Sequence, residues 1–457
     1  MKKAWLSAVI IVAALLPVAV HGAIVVRADG FFAFDFRAFY CAARVASHGA
    51  DPYLTEPLRS CERSIPQRLF YEQNEGVAVP APLPGYAIAV VLPLTLLRFD
   101  VAAVVWTLLL LAAWLVCVAT IVRFADITWQ AALAVTALSL GVASIPLGEI
   151  MPLAFAGLCL AGYYAWLGRW HAAGVAGMIA MLEPHIGLPA CIALAVWAPG
   201  TRIPLAIGFG ALAGLSLLML GPNVNLEYFL SVLPAHALSE ATRDTQYSLT
   251  AVLTSIGVGS SAAIRAGSIW YAAMVVIGTI AAGSLARRTN NRAFLACTPP
   301  AFAVLGGTFI HVTQLVAALP AAVLVIPYLI GTRRALAIAA LLLLSVPWSF
   351  AWSPALGIAA AFPVAYLAWI YSERNARATA MAAVIAGLLL VGVNHTYLSY
   401  ASGSTFQAQT SIDPRLAEYS WSAFSSKSST HGLASWATRA PTWAGLILAL
   451  AMLASAS

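Results

Sequence analysis

Long apolar runs separated by short polar breaks repeat along almost the whole chain. Successive runs reach about 15–25 residues, close to the ~20 that a helix needs to cross a hydrocarbon core of ~30 Å. No stretch alternates apolar-out and polar-in with a period of two, which excludes a transmembrane β-barrel. The pattern predicts an all-α, polytopic transmembrane helical bundle: a single integral membrane domain over residues 1–457, with about 11–13 spanning helices.

The first run, from Ala4 to about Ala23, follows Lys2-Lys3 and has the length of a signal peptide. Its end, Ala19-Val20-His21-Gly22-Ala23, is a poor small-x-small cleavage site, so an uncleaved first helix with its N-terminus inside is expected. Residues 27–79 then form a first external (periplasmic) loop. Phe31-Phe32-Ala33-Phe34-Asp35-Phe36-Arg37-Ala38-Phe39-Tyr40 predicts an interfacial helix with its rings at headgroup depth, ended by the turn chemistry of Gly49-Ala50-Asp51-Pro52-Tyr53. Pro80 to Pro84 leads the chain back to the membrane. Residues 80–97 read either as a re-entrant hairpin or pair of short helices, or as one crossing. The first option puts Arg123, Arg169 and Arg202 inside and Glu149 and Glu183 outside. Downstream, 221–264 reads as a central external loop. Spans follow near 266–286, 294–310, 315–330, 335–352, 354–371 and 378–398. A second external segment covers 399–439, and a last short span covers 442–453.

Composition agrees and narrows the choice. Hydrophobic residues are 61% of the chain and charged residues 9%, against roughly a quarter charged in soluble domains; mean hydropathy is +0.87. The net charge of +7 comes almost entirely from arginine. Clusters such as Arg287-Arg288 and Arg333-Arg334 read as cytoplasmic loops under the positive-inside rule, and nucleic-acid binding is unsupported. Cys117, Cys159, Cys191 and Cys297 fall in apolar runs as small packing residues, whereas Cys41 and Cys61 share the first external loop as a disulfide candidate.

No metal-ligand spacing, P-loop or dinucleotide fingerprint occurs. What remains is a set of polar groups at the expected outer face. Asp35 is foremost, a carboxylate among phenylalanines at the membrane boundary; desolvation raises its pKa, a neighbouring arginine opposes the rise, and such a group suits general-base work on an alcohol. The plainer reading pairs it with Arg37 or makes it a helix cap. Glu149 and Glu183 are carboxylates next to or inside apolar runs, which points to function or to a buried ion pair. Arg243 to Ser248, with Gln246 and Tyr247, offers donors to a phosphate or sugar, or is a solvated loop. His311, with Thr313 and Gln314, sits at a span end, where a polar cap is the plainer reading.

Taken in order, these elements resemble the GT-C superfamily of polyprenyl-phosphate-sugar-dependent glycosyltransferases, and within it glycosyltransferase family 87, whose members include α-1,2-mannosyltransferases. Asp35 to Tyr40 with Ala42-Ala43 looks like an Asp-x-x-x-Tyr-x-x-Ala element, and Gly49 to Tyr53 like Gly-x-x-Pro-Tyr. Gly148-Glu149-Ile150-Met151-Pro152 resembles Gly-Gln-x-Asn with Glu for Gln and Pro for Asn. Leu182-Glu183-Pro184 resembles the end of a small-residue helix in Lys-Pro with Glu for Lys, and Thr245 to Ser248 resembles an Asn-Gln-Ser element. The two Glu substitutions depart from the family pattern and weaken the expectation of mannose.

The resemblance implies an inverting transfer at the periplasmic face of a bacterial inner membrane, with a polyprenyl-phosphate sugar as donor, a lipid or glycan as acceptor and membrane lipids all around. Asp35 would act as base. Arg37, Arg243, Gln246 and His311 would meet the phosphate, Phe39, Tyr40 and Tyr53 would stack on sugar or guide the lipid tail, and no cofactor or divalent metal is expected. The rival class is a transporter or lipid flippase that uses Glu149 and Glu183 for proton coupling, although no inverted repeat is evident. An O-antigen ligase or polymerase would carry its large external loop late, where only 399–439 lies.

Overall fold

The computed structural model describes residues 33–65, 74, 76–241, 243, 245–346, 348, 354–371, 381, 384, 385, 388, 411–427 and 433–456. The expected first helix, most of the span near 378–398, and Asp244 lie outside the described residues. Among the described residues the chain is helical throughout without a β-strand, and Leu54 with Leu416 and Gln246 with His311 form isolated bridges.

Among the described residues, four helices are long and apolar enough to cross a membrane: Phe99–Ala125, the broken Pro199–Glu240, Ser260–Thr289 and Arg439–Ala456. Six shorter apolar helices of 10–17 residues, from Gly85–Leu96 to Val312–Tyr328, lie among the described residues as well. Large side chains such as Leu108, Ile203, Leu218 and Ile280 stay exposed on its outside. A soluble protein would not leave them there in such numbers, but hydrocarbon accepts them at no cost.

Inside, small residues let backbones meet. A Cβ on Gly157 would lie 2.4 Å from Ala180 N, and one on Gly187 would lie 2.5 Å from the Ala180 carbonyl. The helices Met151–Trp166, Trp170–Ala180 and Pro184–Trp197 therefore pack as a tight trio, as lipid-embedded helices do when no hydrophobic gain drives them together.

Two segments bear on the expected segmentation: the first takes the short-helix form, one of the two options for 80–97, and the second departs from the expectation. Residues 85–96 form a seven-residue α-helix continued by a short 3-10 turn. That run spans only ~20 Å at 1.5–2.0 Å per residue and is too short to cross a ~30 Å membrane alone. Its Tyr86 hydroxyl donates to the Met181 carbonyl (2.8 Å).

The second is the central loop expected from 221, which is helical as far as Glu240. A break at Gly221 (φ 70°) divides it. Asn225 Nδ2 donates to the carbonyls of Gly221 (2.6 Å) and Ser216 (2.9 Å), satisfying groups that the break frees. The helix after the break has a buried partner. Tyr228 stacks on Tyr53 with centroids 5.5 Å apart and donates to the Pro82 carbonyl.

Polarity is divided between the ends of the bundle. Trp106, near the start of Phe99–Ala125, donates to the Gly148 carbonyl (2.8 Å). Near the other end of that helix the Phe124 carbonyl accepts from Asn291. At ~1.5 Å per residue these contacts stand ~25 Å apart. Arg123 lies beside the second, and Arg287 and Arg292 lie nearby, stacked over Trp197 and Trp170.

Candidate active site

The aromatic helix Phe34–Ser47 begins at Ala33, whose left-handed backbone (φ 54°) turns the chain into it. The first backbone N–H groups of a helix have no partner within it. Here Ala33 N donates to the Pro146 carbonyl (2.8 Å), and Asp35 N donates to the Leu147 carbonyl (2.9 Å). The segment 145–150 thus caps the Asp35 helix, and the next residues along it are Gly148 and Glu149. Gly148 has φ 76°, and a Cβ there would stand 2.7 Å from Phe36 Cβ. Only glycine permits both the backbone conformation and the approach. A π-helical stretch, Ala137–Ser144, precedes this turn, a local widening of the kind that recurs beside functional sites.

This juxtaposition brings Asp35 and Glu149 into a side-chain hydrogen bond, and the Thr313 hydroxyl donates to Glu149 in turn. Glu183, at the turn between two of the small-residue helices, accepts from Gln314 Nε2 (2.9 Å). Gln314 Oε1 accepts from the His311 backbone N–H (3.0 Å). Gln246 Nε2 stands 3.2 Å from His311 Nε2 and 3.5 Å from Glu240 Oε2, while Gln246 Oε1 accepts from Ile310 N (2.9 Å). Arg243 Nη1 donates to Glu240 Oε1 at 3.0 Å. A continuous polar chain therefore runs from Glu183 through Gln314, His311, Gln246 and Glu240 to Arg243, with Thr313 linking its helix to the Asp35–Glu149 pair.

Burial sorts these groups by what they can do. Asp35, Glu149, Glu183, Arg243 and His311 keep partial exposure, whereas Gln246, Tyr247, Glu240 and Gln314 are buried. The first set can meet a substrate; the second holds it in place.

The carboxyl pair is tuned to stay near neutrality. Burial pushes Asp35 up to about 7, against the pull of the Arg243 charge. The negative charge of Glu240 adds to the rise, and the hydrogen bond from Glu149 opposes it. Burial and then the charge of Asp35 hold Glu149 well above the usual carboxylate range. Two like charges this close cannot both ionise, so Glu149 keeps the shared proton and donates it toward Asp35. Glu183, raised by burial to about 7, is steadied by Gln314.

Several expected site residues lie elsewhere. Arg37 is two positions from Asp35, about 200° around the helix; it is buried over the Phe99 ring, its Cζ 5.4 Å from the centroid. The cation whose field reaches Asp35 is Arg243. The buried hydroxyls of Tyr40 and Tyr53 donate to the carbonyls of Leu97 (2.8 Å) and Leu83 (2.7 Å), anchoring the first loop to the re-entry segment. Tyr247 is fully buried, its N–H on the Ile310 carbonyl. Phe39 is buried. Cys41 and Cys61 form a disulfide, tying the Asp35 helix to the helix Thr55–Ser64.

Sequence reading missed Glu240, Trp421 and Arg439. Trp421 Nε1 donates to Glu240 Oε1, and Arg439 Nε donates to the Gln246 carbonyl (2.7 Å). Glu240 sits in a stretch of ordinary helix composition. The other two lie near a serine-rich stretch, and no local signal sets them apart.

An all-helical, membrane-spanning bundle with a carboxyl pair, a cationic group and a histidine converging at one end defines a polytopic membrane enzyme. Residues 84–305 match the family model of glycosyltransferase family 87, and the activity class is glycosyl transfer. Asp35 and His311 flank the matched stretch, and Trp421 and Arg439 lie well beyond it. No curated protein and no solved structure matches the chain.

Proposed function

We propose that the chain transfers a sugar from a polyprenyl-phosphate donor to a hydroxyl of a lipid or glycan acceptor, with inversion, at the periplasmic face of a bacterial inner membrane. The observation that carries this reading is the placement of Asp35: partly accessible, held near a pKa of 7, and in the field of Arg243.

Asp35 as carboxylate takes the proton of the acceptor hydroxyl while that oxygen bonds to the anomeric carbon. The bond from that carbon to the phosphate oxygen breaks on the opposite side, and the polyprenyl phosphate leaves with the electron pair. The leaving group is an anion already, so it needs no general acid but needs fixed positive charge and hydrogen-bond donors. Arg243 supplies the charge and His311 a donor. Glu149 gives its proton to the hydrogen bond with Asp35 and so favours the basic form. Glu183 stands where the family pattern has Lys, and a carboxyl there suits a sugar hydroxyl better than a phosphate. The groups around Glu183 select the hexose or pentose, and mannose is one candidate. The reading requires no metal ion, so chelation leaves the rate unchanged.

The periplasmic placement rests on the arginines at the far end of the bundle, which the positive-inside rule puts in the cytoplasm. Sugar transfer from a defined polyprenyl-phosphate donor tests the reading. Asp35→Asn should lower kcat by about 10²–10⁴, the usual contribution of a general base. Undiminished transfer by that variant refutes the mechanism. Flux of lipid-linked sugar across vesicles without any transfer would instead establish the transporter reading, which the clustering of Glu149 with Glu183 would then serve.

A further inference from the structure

We infer that two C-terminal stretches, 413–425 and 439–443, which lie outside the family match, form a clasp that completes the anion-facing side of the site, with Trp421 as its main positioning residue. The inference rests on the proposed function for the identity of the anion, a lipid phosphate.

Three donors from these stretches converge on the short run that carries Arg243. Trp421 Nε1 donates to Glu240 Oε1, the same oxygen that accepts from Arg243 Nη1 at 3.0 Å. Arg439, itself buried, donates Nε to the Gln246 carbonyl (2.7 Å) and Nη2 to the Arg243 carbonyl. Trp443 Nε1 donates to the Tyr247 carbonyl at 3.2 Å. A helix holds its own backbone, but the irregular chain after Glu240 has few such bonds. Among its described residues, the carbonyls of Gln246 and Tyr247 accept from C-terminal side chains, and that of Arg243 accepts from Arg439 in addition to Gln246 N.

Trp421 grips both halves of one ion pair. Its N–H holds the carboxylate, and its ring lies against the guanidinium, 5.0 Å from Arg243 Cζ to the centroid. Both contacts are charge-assisted, and the indole that makes them is buried. The indole also stands 6.3 Å from the Phe34 ring, next to Asp35.

The stretch 413–425 is tied to the first loop. Thr55 N donates to the Arg415 carbonyl (2.8 Å), and Ala417 N donates to the Tyr53 carbonyl (2.9 Å). The clasp therefore spans the piece of chain that delivers the base and the piece that delivers the cation, and fixes the gap between them. A residue that only filled space would need neither the N–H nor the ring orientation.

Full-length protein in nanodiscs tests this with Trp421→Phe, which keeps a ring and loses the donor, and Trp421→Ala, which loses both. Arg288→Gln, an exposed residue at the far end of the bundle, is the control and should behave as wild type. The expected result is a rise in donor KM of about 10-fold for Trp421→Phe, from one lost hydrogen bond to a charged group, and a larger rise for Trp421→Ala. Acceptor KM should stay unchanged, which general loosening of the fold would not spare. Donor KM within twofold of wild type in both variants overturns the inference.

Retention of polyprenyl phosphate alone, read by native mass spectrometry, separates this from the proposed function. If wild type retains the lipid phosphate, transfers no sugar, and loses retention in Trp421→Ala, the transferase reading falls and the clasp stands. Retention that Trp421→Ala leaves intact overturns the clasp, and a wild type that neither retains nor transfers overturns both.

Discussion

Glu149→Leu isolates the hydrogen bond that tunes the proposed base. At neutral pH Glu149 holds the shared proton, so the change removes a donor to Asp35 without removing a charge. A hydrogen bond to a charged group contributes about 1.5–3 kcal/mol. One pKa unit corresponds to about 1.4 kcal/mol, so Asp35 should move up by about 1–2 units. From about 7, that places it at about 8–9. The base works only when ionised. At pH 7 its ionised fraction then falls from about one half to between a tenth and a hundredth, and kcat/KM drops roughly 5- to 50-fold. The loss should shrink to about twofold or less by about pH 9, where most of the variant's base is ionised as well. Glu149→Gln keeps a donor in the same place, so its profile should stay close to wild type. The assay is sugar transfer from a polyprenyl-phosphate donor across about pH 5.5–9.5, a window that brackets the wild-type midpoint and reaches past the shifted one. A Glu149→Leu deficit that is equal at every pH refutes the tuning, as does a Glu149→Gln variant that is the more impaired of the two.

Wild-type kcat/KM should rise with pH through about 7, because the raised Asp35 pKa makes its active, charged form the high-pH form; a profile flat from pH 5 upward would contradict it. Gly148→Ala forces a Cβ into Phe36 at a positive φ, and overpacking of this kind costs about 1–3 kcal/mol; thermal unfolding in detergent should show a lowered midpoint, with transfer reduced further because the cap of the Asp35 helix moves. Reduction of the Cys41–Cys61 disulfide, or Cys41→Ser with Cys61→Ser, opens a loop of sequence separation 20 and should cost about 3 kcal/mol, seen as a lower unfolding midpoint with and without reductant. Arg243→Gln should lower kcat by about 10²–10³ as a lost electrostatic donor, with Arg243→Lys recovering part of it.

Legibility in the sequence followed the range of the physics. The membrane class was plain because hydrocarbon imposes length and apolarity on each segment by itself. Asp35 stood out because a carboxylate among four phenylalanines is costly wherever the chain goes next. Glu149 and Glu183 were visible as expensive residues, but their companions were not. Arg37 was read as a neighbour of Asp35 because it is adjacent in sequence, whereas the helix turns it to the other side. Tyr40 and Tyr53 look like substrate-stacking aromatics, yet their hydroxyls are spent on backbone carbonyls of the re-entry segment.

By itself the sequence determined the helical membrane bundle, the family resemblance and the candidate base, since each depends on composition or on residues within a few turns of one another. Tertiary structure alone decided that Glu149 shares a proton with Asp35, that Arg243 is the cation in reach, and that Trp421 and Arg439 hold the segment around it. Those pairings join distant parts of the chain through backbone caps and close glycine contacts. Such contacts have no local signature, because a hydrogen bond constrains where two groups meet in space and places no demand on the residues between them.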